Sequence, residues 1–273
     1  MKPCLAQVST LEASFADDVT EYAAGKCGAI EIWLGKLDQY LEKHSLEDVR
    51  RLLAEHNMTA PVASFQGGLL TSQGEARKVH WEAFERRLEL CRDLSIGTLV
   101  LAADVKSPLT QQDLDRTQVS LTQAAPIAGR VGMRLALEFQ ARAAFINNLQ
   151  TAAAVVAEVG SPHLGICFDA FHYYVGPSKT EDLGYLSAEN LFHVQLCDLS
   201  GTAREFAADS ERILPGDGDI PLAALLARLT EIDYRGHVSI ELMNPQIWRI
   251  PPRSFGEIAM TALRKLLGQA SMD

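Results

Sequence analysis

The sequence predicts an α/β protein and, within that class, a single (β/α)₈ barrel, on three observations. Eight short apolar segments recur along the chain, and stretches of helical periodicity lie between them. The chain has 273 residues, which is the size of eight such units. Strands that alternate with helices form βαβ units and a parallel sheet. We therefore expect residues 1–273 to form one TIM-barrel domain, with two smaller domains as the alternative that this length allows.

The strands are predicted in order at Cys4–Val8, Ala29–Leu34, Ala60–Phe65, Thr98–Ala103, Arg134–Phe139, Leu164–Asp169, Leu191–Asp198 and His237–Leu242. Helical periodicity marks residues 45–56, 78–94, 114–128, 149–159, 222–229 and 255–267. A doubly wound open sheet is the structural alternative, and it usually has a Gly-rich phosphate loop after its first strand. The segment Val8–Glu12 contains no glycine, which favours the barrel.

The composition excludes several classes of protein. A hydrophobic fraction of 47% is too high for a disordered chain, and no apolar run approaches the roughly 18 residues of a membrane helix. The first residues lack the apolar stretch of a secretory signal, and the five scattered cysteines indicate reduced thiols, so we expect a cytoplasmic protein. The net charge of −10 argues against nucleic acid as a partner.

Polar residues end four consecutive predicted strands: Glu138, Asp169, Gln195 and Glu241. Barrel enzymes act at this end of their strands, and the two-residue alternation of a strand places each of the four on its less apolar face. Any one of them could merely cap a helix or pair with an arginine. Three converging carboxylates, however, would repel one another, and a cation is the simplest compensation. We therefore predict that all four bind one divalent metal ion, with Mn²⁺ or Mg²⁺ favoured by oxygen donors and Zn²⁺ as the alternative.

Five segments also carry a family resemblance: 136–139, 168–172, 193–198, 212–220 and 234–241. On these the chain resembles the xylose isomerase-like TIM barrels, which include sugar-phosphate isomerases and epimerases, inosose isomerases and related dehydratases. The Arg-x-x-Pro-Gly-x-Gly segment from Arg212 is closest to the inosose isomerases. The resemblance implies a metal held by Glu, Asp, His and Glu, but position 195 is Gln here. Bacterial 3-dehydroshikimate dehydratases that resemble this family can carry Gln there.

The resemblance implies an isomerase or epimerase that moves a proton next to the carbonyl of a keto-polyol or sugar, through an enediolate. Glu138 and Glu241 are the expected catalytic pair, and His172, Arg212 and Trp33 are the expected substrate-binding residues. A metal-dependent lyase, which removes water after the same proton abstraction, is the alternative. A non-catalytic binding protein and a DNA endonuclease of the same fold are less well supported, the latter because it needs a His-rich site and a basic surface.

Three further expectations concern the surroundings of the site. Glu31 shares one strand face with Trp33, and His193 is predicted to fill a layer of the barrel interior. The partner is a small molecule, with neither nucleic acid nor membrane involved. The sequence does not fix the oligomeric state, and a homo-oligomer is one alternative. The segment Trp248–Pro252 could support a dimer.

Overall fold

In a computed structural model that describes residues 1–270, eight parallel strands close into a barrel and follow one another in sequence order. The predicted (β/α)₈ barrel is therefore confirmed. The strands are β1 Lys2–Ala6, β2 Ala29–Trp33, β3 Thr59–Gln66, β4 Thr98–Ala102, β5 Arg134–Glu138, β6 Leu164–Asp169, β7 Leu191–Leu196 and β8 His237–Ile240.

Helices connect the strands and pack around the barrel. Three of them start at a reciprocal cap, in which a Ser or Thr side chain and an Asp three residues later bind each other's backbone N–H, at positions 14/17, 45/48 and 110/113. Among the described residues, no helix is long and apolar enough to cross a membrane. The helices are α1 Phe15–Ala24, α2 Leu34–Leu41, α3 Leu46–Glu55, α4 Gly74–Asp93, α5 Gln111–Arg130, α6 Leu149–Val159, α7 Ala170–Val175, α8 Leu222–Glu231 and α9 Pro252–Leu266.

The core consists of two layers, as strand alternation requires. Leu135 and Leu137 of β5 join the large cluster between the strands and the helices. Ala136 belongs instead to a small cluster of buried side chains inside the barrel, made of Val62, Val100, Ala136, Cys167 and Phe192. Polar side chains of the same strands lie buried beyond this apolar plug, at the carboxyl ends of the strands.

The first strand differs from its prediction, since it ends at Ala6 and residues Gln7–Thr10 form a 3₁₀ turn. Two polar side chains explain the early end. Gln7 accepts a hydrogen bond from the backbone N–H of Trp33, and the Ser9 hydroxyl accepts one from the N–H of Leu242. Both side chains bind neighbouring strand ends, so the turn is tied into the mouth of the barrel.

Three helices were not predicted, namely α1, α2 and α7. The shortest, α7, matters most for function because it follows β6 without a loop. The side chain of Asp169, the last residue of β6, accepts a hydrogen bond from the backbone N–H of His172 and so caps the helix. The carboxylate that ends the strand therefore also fixes the position of His172.

Candidate active site

A cavity of about 180 Å³ opens at the carboxyl end of the barrel. Asp169 lies beside it, completely buried. The structure thus brings the predicted site residues to one place, since the side chains that line this cavity include Trp33, Glu138, His172, Gln195, Arg212 and Glu241.

Strand register explains why the four predicted strand-end residues meet. Glu138 is the last residue of β5, and Asp169 is the last residue of β6. In β7, Gln195 pairs directly with Asp169, and Glu241 is the first residue after β8. All four side chains are buried, so the charges of the three carboxylates interact in a medium that screens them poorly.

Arg212 is the cation at the centre of this group. Its Nη1 atom donates to Asp169 Oδ2 at 2.7 Å and to Glu241 Oε2 at 2.9 Å, and its side chain is only 1% exposed. Asp209, at the edge of the cavity, accepts from Nε and Nη2 of Arg212 and holds the guanidinium from the other side. The guanidinium also lies over the ring of Phe171, with 4.5 Å to the centroid. Arg212 is therefore a built part of the site and not a surface ion pair.

The three carboxylates have different environments. Burial opposes the charge of Asp169, but Arg212 and the backbone N–H of His172 hold its pKa at about 2. Burial and then the charge of the neighbouring Asp169 raise the pKa of Glu138. The nearest basic nitrogen, His172 Nε2, lies 3.9 Å from the Glu138 carboxylate. Burial also raises the pKa of Glu241, although Arg212 opposes that shift. Glu138 and Glu241 therefore accept protons more readily than ordinary glutamates do.

His172 lies next to Glu138 and has an unused hydrogen-bonding atom. Burial lowers the pKa of its imidazole, which favours the neutral ring. Its Nδ1 atom is buried and has no hydrogen-bond partner among the described residues. Because an unpaired buried polar atom is costly, this nitrogen is suited to an incoming ligand. On the other side of Glu138, the amide of Gln140 donates to Oε2 at 2.7 Å, a contact that the sequence did not indicate.

Gln195 is held from below by Glu31. The Gln195 amide nitrogen lies 2.9 Å from Glu31 Oε1 and 3.0 Å from Glu241 Oε1, and the amide oxygen accepts from the thiol of Cys167 at 3.2 Å. The predicted ligand atom of Gln195, its oxygen, thus faces Cys167 in this arrangement. His193 lies inside the barrel as expected, but its Nε2 is 2.8 Å from Glu31, a pairing that was missed. The only sequence signal for it was an acidic residue in the otherwise apolar strand Ala29–Trp33.

The donor set fits a divalent cation. Ligand atoms of Glu138, Asp169 and His172 all lie within 4.8 Å of one another, and the three residues are buried. With Glu241 ionised as well, the carboxylates of Asp169, Asp209 and Glu241 share the single guanidinium of Arg212, and Glu138 adds a further negative charge nearby. One guanidinium cannot balance these charges, which favours binding of a divalent ion. The unpartnered Nδ1 of His172 adds a nitrogen donor that the sequence-based ligand set did not include.

Apolar side chains also line the cavity. The rings of Trp33 and Phe65 lie 5.2 Å apart, and Ala102 and Met243 line the cavity together with the polar Ser64 and Asp104. A bound molecule would therefore contact hydrocarbon as well as charged groups. The volume is below the roughly 300–1,000 Å³ of pockets for drug-sized ligands, so the cavity suits a small molecule.

A larger groove, of about 680 Å³, lies outside the barrel between the 214–217 loop and α9. Its lining includes Leu214, Pro215, Ile258 and Leu266 together with charged residues such as Lys265. It does not include the buried carboxylates, the arginine or the imidazole described above. Size alone does not mark a catalytic centre, and we place the candidate site in the smaller cavity because the charged groups converge there.

Comparison with known proteins bears on both fold and activity. A family model described as xylose isomerase-like TIM barrel matches residues 21–266. An inosose isomerase of Bacillus velezensis is 29% identical over 257 residues, which are 92% of this chain and 91% of the relative. A 3-dehydroshikimate dehydratase of Pseudomonas aeruginosa is 27% identical over 273 residues, which are 98% of this chain and 41% of that protein.

Among solved structures, a crystal structure of a protein called IOLI, described as having a binding zinc atom, superposes with a TM-score of 0.92. The match covers 99% of both chains at 24% sequence identity. At this identity the superposition supports the fold alone. The family model agrees with the closed eight-stranded barrel, and this agreement does not depend on the superposition.

Proposed function

The chain belongs to the xylose isomerase-like TIM barrel family, and from this premise we propose that it is a divalent-metal-dependent isomerase or epimerase of a small keto-polyol or sugar. The observation that carries the proposal is the meeting of Glu138, Asp169 and Glu241 around Arg212 in one buried cavity. The inosose isomerase relative supports a cyclic keto-polyol as the substrate class. The cavity is small and is lined by apolar as well as charged side chains, which supports a substrate that consists of a single ring.

The proposed ion is held by Glu138, Asp169 and His172, with Glu241 as a further ligand, and Gln195 joins them only if its amide rotates. When bound, it supplies positive charge next to the carbonyl and hydroxyl oxygens of the substrate. Carboxylate oxygens favour Mn²⁺ and Mg²⁺. The imidazole nitrogen of His172 is also a good ligand for Zn²⁺, so Zn²⁺ competes for this site more strongly than it would for a site made of oxygen donors alone.

Proton transfer is assigned to the two glutamates. One glutamate, as a carboxylate, removes the proton from the carbon next to the carbonyl, and the other, as the protonated acid, delivers a proton to the opposite face of that carbon or to the neighbouring carbon. Burial raises the pKa of both carboxyl groups above the ordinary value for glutamate, which favours proton uptake by each of them. Glu138 ends β5 and Glu241 follows β8, so they reach the substrate from different parts of the mouth.

The remaining side chains bind and orient. Arg212 donates toward the centre of the site and would stabilise negative charge that develops on an enediolate oxygen. The neutral imidazole of His172, as one of the groups that hold the ion, would fix the position of the ion beside the substrate oxygens. Trp33 would cover the hydrocarbon face of the ring.

Turnover of defined substrates tests the proposal. The protein is stripped with a chelator, reloaded separately with Mn²⁺, Mg²⁺ or Zn²⁺, and incubated with a panel of inososes and ketoses. We expect a metal-dependent product with the mass of the substrate, observed by NMR and mass spectrometry. Metal that binds without turnover of any panel member would favour a binding protein and remove the proposed activity.

A metal-dependent lyase is the second candidate, and Gln195 is the observation that favours it. Glutamine stands where the resemblance leads one to expect histidine, and the dehydratase relative matches almost the whole chain. After the same proton abstraction, a hydroxyl would leave the next carbon as water. A product lighter than 3-dehydroshikimate or the inosose by one water would decide for the lyase.

Four wider proposals accompany this function. We propose that residues 1–273 act as one domain and that the protein works in the cytoplasm, where its five buried free cysteines stay reduced. A small polyol or sugar is its partner. A homodimer through Trp248–Pro252 would make the molecular mass in solution twice that of the 29.9 kDa chain, which light scattering measures directly.

A further inference from the structure

A buried hydrogen-bonded group lies directly beneath the site carboxylates, and Glu31 of β2 is its centre. Glu31 is fully buried and uses both carboxylate oxygens. Its Oε2 atom is 2.8 Å from His193 Nε2, and its Oε1 atom accepts from the amide of Gln195 at 2.9 Å. His193 is also 3.1 Å from the hydroxyl of Ser239, so the pair is anchored to β8 as well. These contacts cross the barrel from β2 to β7.

The amide of Gln195 has a satisfied partner on every side. Its nitrogen donates to Glu31 and to Glu241, and its oxygen accepts from Cys167. Rotation of the amide by half a turn would place its oxygen against two carboxylate oxygens. The same rotation would leave both N–H donors near a thiol, which is a weak acceptor. The carboxylate of Glu31 therefore acts together with Glu241 and Cys167 to set which end of the amide faces Glu241.

We propose that Glu31 is a positioning residue, which acts through Gln195 on Glu241. Glu31 holds the amide with its N–H toward Glu241, so that Gln195 serves that carboxylate as a hydrogen-bond donor while its oxygen faces Cys167. One carboxylate oxygen of Glu241 then accepts a hydrogen bond from Gln195, and the other accepts one from Arg212. These two bonds fix the plane of the carboxylate toward the substrate. The effect on catalysis rests on the proposed function, whereas the orientation of the amide does not.

Amide hydrogen exchange tests the orientation without metal or substrate. Glutamine side chains are labelled with ¹⁵N, and the Gln195 signal is assigned by its loss in Gln195→Met. In the chelator-treated protein we expect its side-chain N–H₂ to exchange at least about tenfold more slowly than that of Gln39, which is exposed on α2. Glu31→Gln should remove most of this protection. Glu158→Gln, the same chemical change at an exposed position of α6, should retain it.

A double-mutant cycle tests the route of the effect. The dissociation constant for Mn²⁺ and the values of kcat and KM are measured for Glu31→Gln, Gln195→Met and the double variant. Each single change is expected to weaken Mn²⁺ binding or kcat by about 10- to 100-fold, as loss of a supporting hydrogen bond does at metal sites. The double variant should lose no more Mn²⁺ affinity or kcat than the more impaired of the two single variants, because both changes act through one contact.

Several results would overturn the positioning role. Effects that multiply in the double variant would mean that Glu31 does not act through Gln195. Protection of the Gln195 amide that is independent of Glu31 would exclude the orientation, whatever the substrate proves to be. If Glu31→Gln does not fold, Glu31→Asp withdraws the same carboxylate by one methylene, and it should show the same losses in smaller measure.

Discussion

In the mouth of the barrel, Nη1 of Arg212 lies 2.7 Å from Oδ2 of Asp169, and both side chains are buried. The same nitrogen reaches Glu241, so one guanidinium joins the ends of β6 and β8. This arginine compensates only part of the negative charge that Glu138, Asp169 and Glu241 bring together. The protein thus carries its own cation and still has a place for a second.

Replacing Arg212 tests this charge balance. Arg212→Met leaves Asp169 and Glu241 buried without their cation, and we expect the free energy of unfolding of the metal-free protein to fall by about 3–5 kcal/mol. The loss should be smaller in saturating Mn²⁺, because the ion supplies positive charge at the same carboxylates. Urea unfolding with chelator and with Mn²⁺ measures both values. Arg235→Met, on the exposed Arg235–Asp233 pair, is the control and should change stability by no more than about 0.5 kcal/mol. An equal loss with and without metal would contradict this balance.

Metal binding should stabilise the folded protein through Glu138. Addition of Mn²⁺ at about 100 times its dissociation constant is expected to raise the free energy of unfolding by about 2.7 kcal/mol, and removal by a chelator should reverse the gain. Glu138→Ala removes one proposed ligand and should abolish most of the shift in Tm. Glu158→Gln, at an exposed position of α6, should leave the shift intact. A Tm that does not respond to Mn²⁺, Mg²⁺ or Zn²⁺ in the unaltered protein would exclude a resident ion.

A second buried ion pair, away from the cavity, gives a prediction on pH and stability. Lys36 Nζ lies 2.6 Å from Asp18 Oδ2, and both side chains are buried. Burial nevertheless raises the pKa of Asp18 to about 7, and removal of Lys36 would raise it further. Lys36→Met should therefore cost about 3–5 kcal/mol at pH 8, where the buried Asp18 without its cation must either stay charged or take up a proton far above the ordinary pKa of a carboxyl group.

The sign of this pH dependence follows from proton binding. Between about pH 4 and 7 the folded state holds a proton on Asp18 that the unfolded chain has lost, so stability due to this group falls as pH rises. The deficit of Lys36→Met should accordingly shrink as the pH falls from 8 to 5. Urea unfolding at both values measures it, and Asp18→Asn combined with Lys36→Met should remove the difference. A deficit that grows toward pH 5 would show that the carboxylate is not its source.

Trp33 offers a test of the apolar lining of the cavity. Trp33→Ala removes the ring that faces Phe65 across 5.2 Å and should raise KM by about tenfold, the equivalent of 1.4 kcal/mol of binding. We expect kcat to change by less than about threefold, because a hydrocarbon contact is the same in substrate and transition state. Trp33→Phe should restore most of the affinity. A loss confined to kcat would assign Trp33 a different role.

Much of this arrangement could be predicted from the sequence because each active strand is short and ends in a polar residue. Glu138 and Asp169 are the last residues of their strands, and Glu241 follows its strand directly, as two-residue alternation and barrel geometry predict. The burial of Arg212 was not predictable, because it depends on a contact with Asp169, which is distant in sequence, and on Asp209, which begins a 3₁₀ turn that was not predicted.

The polar network beneath the mouth was predicted only in part. Glu31 and His193 lie on strands β2 and β7, and no local pattern states that they face each other across the interior. The same holds for Lys36 and Asp18, whose helices were not predicted because their apolar periodicity is short. Such pairs depend on how the barrel closes, which local propensity does not encode.

Exchange of the substrate α-proton tests the central claim most directly. The metal-loaded protein is incubated in heavy water with the inosose or ketose that it converts, and deuterium at the carbon next to the carbonyl is followed by NMR. We predict rapid incorporation by the unaltered protein and at least about 100-fold slower incorporation by Glu138→Gln and Glu241→Gln, since general acid–base groups contribute about that much. Incorporation at an unchanged rate in both variants would contradict the assignment of proton transfer to these two glutamates.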